Sequence, residues 1–129
     1  MRILGIDFGT KRIGIAVSDE LHMLARELAV YSPTQFWHEL PKLLTELELE
    51  SIVLGFPLGM SGQKTKKTEE VENFKVALER VVSVPVILMD ERLSSVMAEQ
   101  VPTGHDRTDS LAAQIVLQNY LNREAGKKK

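Results

Sequence analysis

The chain has no cysteine in its 129 residues. That excludes a disulfide framework and any thiolate metal site, and it fits a reducing compartment. Long apolar runs are missing too. Charges at Arg2, Asp7 and Lys11 interrupt the N-terminal stretch, so it does not read as a secretory leader. No segment approaches the roughly 20 apolar residues of a membrane span, so no membrane role is expected. A basic excess is also absent. The net charge is −2 and the pI about 5.9, which counts mildly against general nucleic-acid binding unless local distribution overrides the total. The three histidines, His22, His38 and His105, show no metal-ligand spacing, and no Ser-His-Asp arrangement can be argued. There is no internal repeat or linker.

What is present is a soluble globular composition, 43% apolar and 26% charged. The length suits one domain, placed at residues 1–122, with a basic tail at 123–129. Basic residues gather at Lys11-Arg12, at Lys64, Lys66 and Lys67, and at the C-terminal lysines. Acids gather at Glu46, Glu48 and Glu50 and at Glu69, Glu70 and Glu72. The simplest reading of each such run is a solvated face.

Hydrophobic patterning predicts strands at 2–7 and 13–18, joined by the turn Gly9-Thr10-Lys11-Arg12, and a short third strand at Leu28–Tyr31. A helix is predicted over 35–49, its regular part starting near Pro41, which is poorly placed inside a helix. Ser51–Phe56 and Val84–Met89 are continuous apolar runs of the kind buried on both faces of a sheet. Helices are predicted at 68–81, at Ser94–Gln100 and at Thr108–Leu121, with loops at Pro57–Thr68 and Pro102–Arg107. Hairpins followed by crossovers imply an α/β fold with a mixed sheet covered by helices.

Four acids stand where these elements deliver them toward one place. Asp7 ends the first strand, and Asp90 and Glu91 follow the last one. Asp109 falls in the first turn of the final helix as predicted, on the face shared with Ala112, Ala113, Val116 and Tyr120. Side chains alternate along a strand, so only one of Asp90 and Glu91 can join Asp7, and spacing does not say which. Carboxylates gathered at the carboxyl ends of parallel strands, without Cys or clustered His, point to Mg²⁺ or Mn²⁺. Two such ions about 3.5–4 Å apart would activate a water and stabilise the leaving oxygen in phosphodiester cleavage. Each acid also has a simpler reading. Asp109 suits a helix cap or dipole, Asp90 or Glu91 a pairing with Arg92, and Asp7 a turn. The Gly9–Arg12 turn offers backbone N–H groups and two cations to a phosphate, or is simply a hairpin turn.

Four motifs, in order, resemble those of the YqgF (RuvX) family of the ribonuclease-H-like superfamily. They are Ile6-Asp7-Phe8-Gly9-Thr10-Lys11-Arg12-Ile13-Gly14-Ile15-Ala16, Val53-Leu54-Gly55-Phe56-Pro57-Leu58, Met89-Asp90-Glu91-Arg92-Leu93-Ser94-Ser95 and Asp109-Ser110-Leu111-Ala112-Ala113-Gln114. The resemblance covers nearly the whole chain. It implies a ribonuclease-H-like α/β fold whose five-stranded mixed sheet has β1-β2-β3 antiparallel, then β4 and β5 parallel, with helices on both faces. It implies a cytoplasmic nuclease that matures the 5′ end of pre-16S rRNA, with kinship to Holliday-junction resolvases. By similarity the catalytic, metal-binding set is Asp7, Glu91 and Asp109, which selects Glu91 over Asp90. Substrate contacts are expected from Lys11, Arg12, Arg92 and Lys64. The expected partners are structured pre-rRNA or branched DNA and ribosomal precursors, with Mg²⁺ or Mn²⁺ as cofactor. One segment departs from the family pattern: Val101–Arg107 is short and offers only His105 and Arg107 as cations.

Two other readings remain beside the nuclease. One is a nucleotide-binding ATPase of the actin and Hsp70 type, which shares the Asp-x-Gly-Thr hairpin. It needs two such domains, more than 129 residues supply. The other is a non-catalytic nucleic-acid- or protein-binding module that keeps the fold.

Overall fold

The computed structural model describes residues 1–56, 65–90 and 105–127, leaving aside the side chains of residue 90, residues 105–109 and residue 127. The order of elements is β1 (Arg2–Phe8), β2 (Ile13–Ser18), β3 (Ala25–Tyr31), α1 (Pro33–Glu46), β4 (Leu49–Phe56), α2 (Lys66–Val81), β5 (Val86–Asp90) and α3 (His105–Lys127). The strands form one five-stranded sheet in the order β3-β2-β1-β4-β5. β1 pairs antiparallel with β2 and β2 with β3, while β4 runs parallel to both β1 and β5. The mixed sheet expected from the sequence is the one observed.

Alternation along the strands sends side chains to two separate layers. Leu4, Ile6, Ile15, Ile52 and Leu54 pack with Phe36 and Leu40 of α1 and Val71, Phe74 and Leu78 of α2. Ile3, Ala16, Ala25 and Val53 pack on the other face with Ala113, Val116, Leu117, Tyr120 and Leu121 of α3. β1 and β4 lie at the centre of the sheet and are buried on both faces, which is why Ser51–Phe56 reads as unbroken apolar sequence.

The first helix departs from expectation. It starts at Pro33 and runs through Pro41. Ser32 and Gln35 form a capping box: the Ser32 Oγ accepts from the Gln35 N–H at 3.2 Å, and the Ser32 N–H donates to Gln35 Oε1 at 2.9 Å. Pro33 supplies a preset φ at the first position. An interior proline costs about 3 kcal/mol. Burial of Phe36, Leu40 and Leu43 returns ~1.5–3 kcal/mol each, so packing wins and Pro41 is carried on the exposed side.

Other bounds move less. β3 begins at Ala25 rather than Leu28, β4 at Leu49, and α2 at Lys66 behind a Thr65–Thr68 capping box. α3 opens at His105, inside the stretch expected to be loop, and continues past Leu121 to Lys127. The expected helix at Ser94–Gln100 and most of the Pro57–Thr68 loop lie outside the described residues.

Candidate active site at the carboxyl edge of the sheet

Because β1, β4 and β5 are parallel, their carboxyl ends share one edge. Ile6 is level with Leu54 and Leu54 with Leu88, and Phe56 is level with Asp90. Asp7 therefore lies one residue before the end of β1, at the same edge where β5 ends in Asp90. One strand, β4, separates them, which sets about 10 Å between the β1 and β5 backbones at ~4.8 Å per strand spacing. In parallel α/β sheets this is the edge where sites form.

Asp7 is half-buried, and its position in the alternation is that of Ile3 and Gly5, on the α3 face. The hairpin that follows is tight. A Cβ on Gly9 would lie 2.7 Å from the Arg12 carbonyl oxygen, so only glycine fits the turn. Thr10, Lys11 and Arg12 are exposed at its tip, beside the end of β1. Lys66 and Lys67, also exposed, open α2 just after the segment that leaves β4 at the same edge. Four cations, Lys11, Arg12, Lys66 and Lys67, thus stand at the same edge as Asp7.

Two independent contacts set how α3 lies on the sheet. At Gly5 the helix comes so close that an added Cβ would meet Leu117 Cβ at 2.7 Å and the Ala113 carbonyl oxygen at 3.1 Å. Toward the start of β1, Ile3 shares a cavity wall with Tyr120 and Leu121. The helix therefore runs antiparallel to β1. Two strand residues span about 6.6 Å, which is roughly four helical residues at 1.5 Å each. Four residues before Ala113 and Leu117 are Asp109 and Ala113, so the turn between them stands level with Asp7. Contacts with β3 repeat this ratio: Ala25 meets Gln114 and Gln118, and Glu27, two residues on, meets Ser110.

Asp109 is the fifth residue of α3, not a first-turn residue. The helix-cap and dipole readings apply to the first turn, so its position in the chain no longer favours them. Ala113, Val116 and Tyr120 are buried as expected. Ala112 is only partly buried, and Ser110, Leu117 and Leu121 complete the face instead.

Glu91, Arg92 and Lys64 lie outside the described residues, as does the side chain of Asp109. Among the described residues no group of three His, Asp or Glu side chains is placed to hold a metal ion. A cavity of about 710 Å³ lies at the opposite end of the sheet, against Ile3, Ser51, Pro85, Ile87, Tyr120 and Leu121. It sits at the amino ends of the parallel strands, away from Asp7. The histidine on its wall is held in place: His22 Nε2 lies 2.6 Å from Glu50 Oε1 and 2.8 Å from the Met1 carbonyl oxygen.

The sequence reading missed Glu27 and Gly5. Glu27 is half-buried on the α3 face of β3, where its carboxylate accepts from Ser110 Oγ at 3.2 Å. A single acid at the inward parity of the apolar strand Ala25–Tyr31 was the available signal.

Residues 1–123 match the family model described as RuvX, Holliday junction resolvase. The chain belongs to the RuvX family. A relative from Maridesulfovibrio salexigens, named "Putative pre-16S rRNA nuclease", is 38% identical over 95% of this chain and 99% of its own length. One of the same name from Bacillus subtilis is 35% identical over 95% of this chain and 98% of its own. Among solved structures, Thermus thermophilus RuvC matches with a TM-score of 0.58 at 16% identity, covering 98% of this chain and 97% of RuvC. The fowlpox virus Holliday junction resolvase matches with a TM-score of 0.58 at 13% identity, covering 95% of this chain and 99% of the resolvase. At such identities these two establish the fold. RuvX membership makes the chain a resolvase-like nuclease in class. Among the described residues no helix is long and apolar enough to cross a membrane.

Proposed function

We propose that this RuvX-family chain is a divalent-metal-dependent endonuclease that hydrolyses phosphodiester bonds in structured nucleic acid, with Asp7, Glu91 and Asp109 as metal-holding catalytic residues. The observation that carries the reading is the close approach of α3 at Gly5, which puts the turn from Asp109 to Ala113 at the level of Asp7 on the carboxyl edge. The alternation of β5 adds to it. Ile87 and Met89 pack on the α3 layer, while Val86 and Leu88 pack on the other. Continued by two residues from Met89, that parity supports Glu91 rather than Asp90 as the partner of Asp7.

The donor set fits a hard cation. Asp7 offers oxygen at a half-buried position, and the chain has no thiolate to recruit a softer metal. When bound, Mg²⁺ or Mn²⁺ supplies an activated water and charge stabilisation for the leaving oxygen. The rest falls to the protein. Lys11 and Arg12, exposed on the Gly9 turn, bind substrate phosphates beside Asp7, and Arg92 and Lys64 are further phosphate contacts in this reading. Phosphate contacts of this kind position the strand without reading its sequence.

The substrate we infer is the 5′ end of pre-16S rRNA in ribosomal precursors of the cytoplasm, after the name its relatives carry. The family model's own description favours a second reading, resolution of branched DNA. The test incubates the protein with Mn²⁺ and either a 16S precursor bearing its 5′ extension or a four-way DNA junction. Asp7→Asn should lower cleavage at least ~10²-fold, since one lost electrostatic group in a catalytic site commonly costs that much. Preferred cleavage of the RNA supports processing, and of the junction, resolution. Equal cleavage by Asp7→Asn would refute the assignment. Salt-sensitive binding without cleavage by either protein would leave the binding-module reading.

A further inference from the structure

Ser110, Gln114 and Gln118 form a stripe on α3 at i, i+4 and i+8, and each is hydrogen-bonded to β3 or the turn before it. Ser110 Oγ donates to Glu27 Oε1 at 3.2 Å. Gln114 Nε2 donates to the Ala25 carbonyl at 3.0 Å. Gln118 Oε1 accepts from the Ala25 N–H at 2.8 Å, and its Nε2 donates to the Met23 carbonyl at 3.0 Å. The orientation of the Gln118 amide is settled chemically, because a backbone N–H can only donate.

These bonds do what the apolar contacts beneath α3 do not. Beneath the N-terminal half of α3 the contact is made by small residues, Ala16 and Gly5 on the sheet and Ala113 on the helix, while Val116, Leu117, Tyr120 and Leu121 pack further along it. The close approach at Gly5 fixes the distance between α3 and the sheet, but the attraction of apolar contacts is itself non-directional. Hydrogen bonds are directional and lose strength steeply when misaligned. The stripe therefore adds a directional restraint on the rotation and axial position of α3 to the packing at Gly5. Its last bond toward the carboxyl edge is the one at Ser110, the residue next to Asp109.

We propose that Glu27 and Ser110 are a positioning pair for Asp109, fixing the helix turn that carries it relative to Asp7. The proposal rests on the nuclease reading above. In this role Glu27 acts through the acceptor oxygen it offers Ser110, as a positioning residue.

The test compares Glu27→Leu, Ser110→Ala and Glu27→Gln with the wild type. The glutamine keeps an acceptor of the same length, and the leucine keeps only the volume. Glu27→Leu and Ser110→Ala should each lower kcat about 10-fold at unchanged KM, because sub-ångström misplacement of a catalytic group is costly. Mn²⁺ binding, followed by calorimetry without substrate, should weaken several-fold in both. Amide exchange should quicken at residues 108–112 and stay slow around Gln118. Glu27→Gln should remain within about twofold of wild type in each measurement. Two results would overturn the proposal: Glu27→Gln as impaired as Glu27→Leu, or a lower Tm alone with exchange at 108–112, Mn²⁺ binding and kcat unmoved. If the wild type neither cleaves nor binds Mn²⁺, the nuclease reading fails instead. The exchange pattern then still decides whether the pair holds this end of α3.

Discussion

Gly5→Ala isolates the contact on which the site geometry depends. The added Cβ would sit 2.7 Å from Leu117 Cβ and 3.1 Å from the Ala113 carbonyl oxygen. Carbon atoms settle at about 3.5–4.0 Å, so the first contact is short by roughly 1 Å. No side-chain rotation relieves it. One neighbour is backbone, the other is a Cβ fixed to it, and Leu117 is fully buried. The helix must lift by a large part of that distance. Overpacking of this kind costs about 1–3 kcal/mol. The lower entropy of an alanine unfolded chain returns ~0.4–1 kcal/mol. A net loss near 1–2 kcal/mol lowers Tm by roughly 4–8 °C for a domain of this size, measurable by calorimetry or circular dichroism. Cleavage should fall about 10–100-fold at a temperature where both proteins are folded, because the lift moves Asp109 away from Asp7. Gly126→Ala is the control. It lies in α3 with nothing within 4 Å of the added Cβ, and helix propensity favours alanine there by up to ~1 kcal/mol. A Gly5→Ala protein as stable and as active as wild type would refute both the close approach and its role.

Replacing Pro41 by alanine restores a helix N–H at an exposed interior position and should raise stability by ~2 kcal/mol in a urea titration. Ser32→Ala removes the capping-box oxygen of α1 and should cost about 1 kcal/mol in the same titration. Burial raises both Tyr31 and Tyr120 above the usual tyrosine value of 10.0, and the nearby charges of Glu39 and Glu124 add to it. Absorbance at alkaline pH should therefore show the native phenols ionising later than those of the unfolded chain. The sign for stability follows: the contribution is full below pH 10.0 and is lost as pH rises through the higher native values.

The legible parts of the fold were those written in local pattern. Alternation and apolar runs located each of the five described strands, because few structures besides a strand produce a period of two or a short, fully apolar run between turns. The start of α1 was misplaced because Pro41 was weighed without the packing of Phe36, Leu40 and Leu43, which exists only after the chain folds. The start of α3 was misplaced too, since His105–Arg107 has no apolar period of its own. Glu27 looked like an unremarkable charge, and its hydrogen bond to Ser110 joins residues 83 apart in the chain.

By itself the sequence determined the element types, the carboxylate at the end of β1, the glycine turn after it and the four ordered motifs of the family. Each of these is local: a side-chain period, a conformation only glycine adopts, a residue beside a strand end. It left open which acids share a level and a face. That required the parallel register of β1, β4 and β5, the close approach of α3 at Gly5 and the direction in which that helix runs. Those are long-range pairings, chosen by the burial and hydrogen bonding of the whole chain, and they bring the turn from Asp109 to Ala113 level with Asp7.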